Sequence, residues 1–179
     1  MPVPHVSEAT AGHDANGVAV REVDSISSTF GSNPEAGITE FGAVVTWESG
    51  FRTAASIGSH ASIAGDEPRN LAGTGTGPAP EDLLLAAAAQ CLVVGIVGTC
   101  SARGIAISSL SVTARGSANL AAAYGHGEGH PGFTSVDLDV ALNADRTHAE
   151  LADIVALALR RAPIPSTIQN PVPVSARLS

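Results

Sequence analysis

The sequence predicts an α+β fold, with a mostly antiparallel sheet arranged around one long, buried helix. Three observations carry this prediction. Residues 80–103 are a nearly unbroken apolar run framed by helix-start and helix-stop signals. Residues 105–116 and 136–142 alternate apolar and polar side chains, the period of two that a half-wet strand requires. Thr147 and Glu150 form a capping box ahead of a helix with one apolar face. The order strands, long helix, two strands, amphipathic helix, final strand is that of an α+β domain.

Taken in order, residues 1–17 are polar and punctuated by Pro and Gly, and read as a loose tail ahead of a single domain over 18–179. Residues 18–30 place Val20, Val23, Ile26 and Phe30 on one side of a short helix, against a Ser and β-branched content that disfavours it. Asn33-Pro34 marks a break. From Phe41 the period changes: GAVVTWESGFRTAASIG reads as two strands joined at Glu48-Ser49-Gly50, with a third over 59–64 after a turn near Gly58-Ser59. Asp66-Glu67-Pro68 then opens the loop that leads to the long helix.

That helix is predicted from Pro80 to Arg103, about 36 Å at 1.5 Å per residue. Pro stands at its first position, acids in its first turn, Arg103 in its last and Gly104 just beyond. From Leu83 to Cys100 only Gln90 and Thr99 are polar apart from the cysteines, so the helix is apolar on every face and other protein must surround it. The eighteen residues from Leu83 to Cys100 are at the lower edge for a bilayer span. Ala86–Ala89, Gly95 and Gly98 make it weakly hydrophobic, and no aromatic belt or basic flank frames it. A buried helix is the better reading, and its small side chains suit close approach by a second copy.

Downstream, Leu110, Val112 and Ala114 alternate with Ser111, Thr113 and Arg115, and Val136, Leu138, Val140 and Leu142 with Asp137 and Asp139. The Gly-rich residues 117–131 between them read as a loop or strand extension. After the capping box, Leu151, Ile154, Val155 and Ala158 share one helix face, Arg160 and Arg161 close the helix, and Pro163 prevents its continuation. The tail NPVPVSARL reads as extended, its alternating prolines confining it to a sheet edge or a strand that pairs on one side only.

Composition bounds the function. All nine basic residues are Arg, the net charge is −8 and no basic run exists. A phosphate-tracking nucleic-acid role and an anionic membrane surface are both disfavoured. The two cysteines, Cys91 and Cys100, lie nine residues apart on the one helix. They face opposite ways, about 13.5 Å apart along the axis, and cannot bridge. The chain is therefore not a disulfide-stapled secreted domain, and MPVPHVSEATAGHDANG has neither the basic start nor the apolar stretch of a signal peptide. A reducing cytoplasm is the simplest setting.

The stretch DEPRNLAGTGTGPAPEDLLLAAAAQC, together with Gly132-Phe133-Thr134 at a strand start and the Asn170-Pro-Val-Pro-Val tail, resembles the OsmC/Ohr family of small thiol-dependent peroxidases, in its OsmC-like branch. The resemblance covers residues 18–179 in element order. It implies an intertwined homodimer with two central helices near the two-fold axis and active sites at the subunit interface. It implies that a first cysteine attacks the peroxide and becomes a sulfenic acid, and that a second, in a Cys-Pro step, resolves it. A Glu at the start of the central helix and an Arg from the N-terminal strands would activate the first thiol.

Carried over by position, Cys91 takes the peroxidatic place, Glu81 the glutamate place ten residues earlier, and Arg52 the arginine place, with Arg69 and Arg103 as competitors. The Cys-Pro step falls on Ala162-Pro163, so the resolving cysteine is absent. The expected activity is reduction of organic hydroperoxides or hydrogen peroxide by Cys91 with an external thiol and no bound cofactor. The alternative is a non-catalytic dimer that holds a small apolar ligand at the interface, with Cys91 as packing.

Each residue also has a plainer reading. Glu81 lies about 15 Å along the helix from Cys91, so its plainer reading is a first-turn acid serving the helix dipole; coupling to Cys91 needs Arg52 as a bridge or the partner subunit across the two-fold. Arg52 reads equally as an exposed strand residue, and Cys100 as a core cysteine. His126, Glu128 and His130 have metal-ligating atoms but only three of them, on a Gly-rich stretch. Gly73, Gly75 and Gly77 resemble a phosphate loop without its Gly-Lys-Ser/Thr ending. Leu84, Leu85 and Val94 are the expected walls of an apolar interfacial pocket.

Overall fold

The structure is a computed structural model that describes residues 15–178. The described chain forms two compact units: Phe30–Ala87, and the residues up to Thr29 together with those from Ala88 onward. The boundaries between the units fall within two helices, α1 (Val20–Ser32) and α2 (Pro80–Ala102).

In the first of these units, β1 (Val44–Ser49), β2 (Arg52–Ser56) and β3 (Ile63–Gly65) form an antiparallel sheet in the order β1-β2-β3. Ser49 pairs with Arg52, so the hairpin turn is Gly50-Phe51, slightly later than the sequence suggested. Gly50 holds φ +57 there, a left-handed value that favours glycine. The Trp47 indole N–H donates to the Gly50 carbonyl across this turn (2.9 Å).

In the other unit β4 (Ile107–Ala118) and β5 (Phe133–Ala144) pair antiparallel over their whole lengths, with Val112 opposite Val140 and Leu110 opposite Leu142. The alternating residues read from the sequence form the half-buried face, and Ser111, Thr113 and Asp139 face out. α4 (His148–Arg161) begins with the predicted capping box: Thr147 N–H donates to Glu150 Oε2 (2.9 Å) and Glu150 N–H to Thr147 Oγ1 (3.3 Å). Leu92, Ile96, Cys100, Ile105, Ile154 and Ala158 form the core, where α2 meets α4, with Leu138, Val140 and Leu142 of β5 against it.

Among the described residues, α2 is covered on one stripe. Its buried residues are Ala88, Leu92, Ile96, Cys100 and Ser101, a one-turn repeat, and Val94 is 71% exposed. By length and composition alone the helix could cross a membrane; 22% of its apolar window is buried. The sequence demands cover on every face, and the described residues supply it on one. Gly95 is used within the chain: a Cβ there would stand 3.3 Å from the Ala158 Cβ, so it sets the close approach of α2 to α4.

Three expectations are corrected. The tail does not form a strand: residues 171–178 have no regular structure, and α5 (Pro163–Gln169) precedes them. Pro163 ends α4 as expected but then serves as the first residue of α5, where a missing N–H costs nothing. A short α3 (Leu120–Ala123) interrupts the Gly-rich loop, capped by Asn119 Oδ1, which accepts from Ala122 N–H (3.2 Å). Finally, Asn16 is not loose. Its amide donates to Ser101 Oγ (3.0 Å) and the Ile105 carbonyl (2.8 Å), and its Oδ1 accepts from Ile107 N–H (2.9 Å). Residues 1–14 of the expected tail lie outside the described residues.

Candidate functional site

α2 sets the positions of both cysteines. Its start is organised by Pro80 and by Asp82, whose carboxylate accepts from Ala79 N–H just ahead of the helix (3.2 Å). Cys100 lies on the covered stripe, fully buried, and burial pushes its thiol above the ordinary range while Arg103 opposes this. Cys91 lies off that stripe and is half-buried. Glu81 is half-buried in the first turn. Ten residues of continuous helix put it about 15 Å from Cys91 along the axis, so the two side chains do not meet within one helix.

Arg52 begins β2, exposed, and its guanidinium donates to Ser49 Oγ across the hairpin (2.8 Å). It belongs with Glu81 to the unit Phe30–Ala87, and Cys91 belongs to the other. Arg69 sits in an exposed 3₁₀ turn and Arg103 just past the end of α2.

Between Arg52 and Glu81 the structure reveals a polar centre that the sequence did not announce. Asp66 is 2% exposed. Its Oδ1 accepts from Glu67 N–H (2.8 Å), and its Oδ2 accepts from Thr74 N–H (3.0 Å), Thr74 Oγ1–H (2.5 Å), Thr76 N–H (3.1 Å) and Thr76 Oγ1–H (3.1 Å). The Thr74 hydroxyl first, and the Thr76 and Glu67 amides with it, hold the Asp66 carboxyl well below the usual carboxylate range against the opposing effect of burial. The glycine-threonine run is therefore not a phosphate loop: its donors already surround the chain's own carboxylate. Glu67 behaves oppositely. Burial, then the charges of Glu81, Asp66 and Asp82, push its carboxyl up.

Two clefts flank α4. One, about 400 Å³, is lined by Ala88, Val136, Leu138, Leu159, Pro165 and Ile168, with Asp137 and Gln169 among its walls. The other, about 430 Å³, runs along Val140, Leu142, Leu151 and Val155. Neither includes Leu84, Leu85 or Val94, the walls expected from the sequence. His126, Glu128 and His130 lie in an exposed turn, and His130 Nδ1 accepts from Gly132 N–H (3.0 Å). Among the described residues no three His, Cys, Asp or Glu side chains converge as a metal site.

A long helix carrying a half-buried cysteine, with strands on both sides of it in the chain and a Gly-Thr loop before it, defines the class. The chain belongs to the OsmC-like protein family, whose sequence pattern it matches over residues 73–177. No curated protein matches it in sequence. Among solved structures it is similar to an OsmC-like protein from Mycoplasma pneumoniae, at 19% identity and a TM-score of 0.64 over 73% of this chain and 88% of that one. An OsmC-like protein of unknown function from Vibrio cholerae gives 15% identity and 0.62 over 73% and 94%. An organic hydroperoxide resistance protein, OsmC, from Legionella pneumophila gives 22% identity and 0.53 over 74% and 92%. At these identities the likenesses show the fold.

Proposed function

We propose that this protein is a thiol-dependent peroxidase that reduces organic hydroperoxides or hydrogen peroxide through Cys91 and an external thiol. The observation that carries the reading is the contrast between the cysteines: Cys91 is half-buried and off the packed stripe, whereas Cys100 is sealed in the core. Among structures of this fold, the Legionella protein is named for organic hydroperoxide resistance. The Cys91 thiolate attacks the terminal peroxide oxygen. An S–O bond forms, the O–O bond breaks, and the alkoxide leaves with the electron pair and takes a proton to become the alcohol. One thiol condenses with the sulfenic acid to give water and a mixed disulfide, and a second thiol releases the disulfide and free Cys91. Arg52 and Glu81 serve as the charged partners of the thiolate, and the assembly is a homodimer in a reducing compartment such as the cytoplasm.

One observation favours the rival reading, a non-catalytic dimer that binds a small apolar ligand. Residue 162, where the resemblance places the second cysteine, is an alanine only 3% exposed. The deciding experiment is intact mass of the reduced protein after a brief cumene hydroperoxide pulse with a sulfenic-acid trap, alongside Cys91→Ser and Cys100→Ser. An adduct lost only in Cys91→Ser is expected. No adduct, or equal dependence on both cysteines, sinks the peroxidase and leaves the ligand-binding dimer.

A further inference from the structure

We propose that Asp66 is a positioning residue that clamps Arg52 and Glu81 into one fixed relation, so that the charged half of the thiol site is built before substrate arrives. The proposal rests on the peroxidase reading for its purpose but on loop geometry for its content. Asp66 directly follows β3, whose Gly65 pairs with Thr53, the residue after Arg52. The contact is close: a Cβ on Gly65 would stand 2.7 Å from Thr53 Oγ1. On the other side, Asp66 N–H donates to the Pro78 carbonyl (3.2 Å), two residues before α2 begins and three before Glu81. The side chain gathers Glu67, Thr74 and Thr76 from the loop between these anchors.

Glycines let the loop close onto itself. A Cβ at Gly73 would overlap the Glu67 carbonyl oxygen at 1.8 Å, and one at Gly77 would stand 3.0 Å from the Ala64 oxygen. Gly75 N–H donates to the Glu67 carbonyl (3.1 Å) at φ +68. The chain from β2 to the first turn of α2 is thus continuous pairing with one acceptor at its centre.

A carboxylate suits that centre. Both of its oxygens accept, whereas an amide that keeps its oxygen on the Thr74 and Thr76 donors turns its NH2 toward the Glu67 N–H and loses that bond. Its charge bears on its neighbour, because it is one of the charges that push the Glu67 carboxyl up. A residue whose only task was solubility or local charge balance would not be an acid here. Geometry is what the carboxylate supplies.

The test uses the full chain in its native assembly and compares Asp66→Asn, Glu81→Gln and the double variant, with Thr74→Ser and Thr74→Val as the hydroxyl-keeping and hydroxyl-free pair. Amide hydrogen exchange is read at residues 53–55 and 83–85. Asp66→Asn is expected to speed exchange in both segments together, about tenfold or more, with β4, β5 and α4 unchanged. Cys91 alkylation by iodoacetamide is followed across pH. It is expected to slow about 10- to 100-fold in Asp66→Asn, with a displaced pH profile. Thr74→Ser keeps the wild-type profile, and Thr74→Val shifts toward Asp66→Asn.

Because Asp66 acts through Glu81 as well as Arg52, the alkylation losses of the two single variants should not multiply in the double. Unchanged exchange in either segment, equal loosening of β4, β5 and α4, or fully multiplying losses overturns the proposal. The exchange readout needs no peroxide chemistry. If Cys91 proves inert to cumene hydroperoxide in the wild type, the peroxidase reading fails while the clamp is still judged on exchange.

Discussion

Replacing Asn16 with Ala removes three hydrogen bonds that tie the N-terminal segment to the junction between α2 and β4. Two of the groups left behind belong to closely packed residues, Ser101 at 4% exposed and Ile105 at 6%. A net hydrogen bond is worth about 1 kcal/mol, and a stranded buried partner costs about 1–3 kcal/mol. Asn16 itself is half-exposed, so water reaches part of the network and the lower end applies. The expected loss is about 2–3 kcal/mol. For a chain of this length that is roughly 4–12 °C in melting temperature. The assay is thermal and urea unfolding at one fixed protein concentration, because association would otherwise shift the midpoint. Asn16→Asp is the informative companion: it keeps the acceptor for Ile107 N–H but turns a carboxylate toward the Ile105 carbonyl, and should lose about as much. A loss under about 0.5 kcal/mol for Asn16→Ala, the size of a neutral surface change, would refute the anchoring.

Glu67→Gln should raise the melting temperature at pH 7. The Glu67 carboxyl is raised in the folded chain, so its favourable contribution exists below its ordinary value and is lost as pH rises; the gain from Gln should vanish toward pH 4, as a melting series across pH would show. Asp66→Asn has the opposite sign: the depressed carboxyl stabilises above its ordinary value and loses this as pH falls below it, so the variant should be least different from wild type in strong acid. Cys100→Ser puts a hydroxyl among Leu92, Ile96 and Ile105 and should cost about 1–3 kcal/mol in urea unfolding, against about 0.5 kcal/mol for Cys91→Ser on the half-exposed face. Val94→Asp should leave secondary structure intact but shift sedimentation from twice the chain mass to 17.9 kDa; a wild-type protein that already sediments at 17.9 kDa removes the dimer from the account.

The parts of the fold legible in the sequence are those where one physical signal dominates. α2 is fixed by an apolar run between Pro80 and Gly104, β4 and β5 by strict alternation, and the start of α4 by the reciprocal bonds of Thr147 and Glu150. α5 was hidden because Pro163 signals the end of α4, although Pro163 and Pro165 both lie in the first turn of α5, where their missing amides would have no helical partner. Asn16 was hidden because its partners are about ninety residues away, and nothing local in a polar, Gly-containing stretch distinguishes an anchor from a tail. The site divides in the same way. Cys91, Glu81 and their separation follow from helix arithmetic. The Asp66 centre does not, because Gly-Thr repeats advertise donors without naming the acceptor that fills them, and a carboxylate eight and ten residues upstream looks like ordinary loop polarity.

The two cysteines separate what the chain completes by itself from what it leaves open. Along Ala88, Leu92, Ile96 and Cys100 the chain supplies α4 and the paired strands, and Gly95 is spent on that contact. Off this stripe, Leu84 and Val94 remain exposed, with Cys91 half-covered beside them. A helix this apolar loses free energy for each uncovered face, and the same face exists on every copy, so an isologous pair of helices is the simplest arrangement that removes the cost from both. A thiol on such a face acquires low-dielectric walls only when the face is covered, and charges held near a thiolate act most strongly once water has been excluded. If Asp66 fixes Arg52 relative to Glu81 as proposed, that framework is the element whose value rises on assembly. Peroxide reactivity at Cys91 and the quaternary state should rise and fall together.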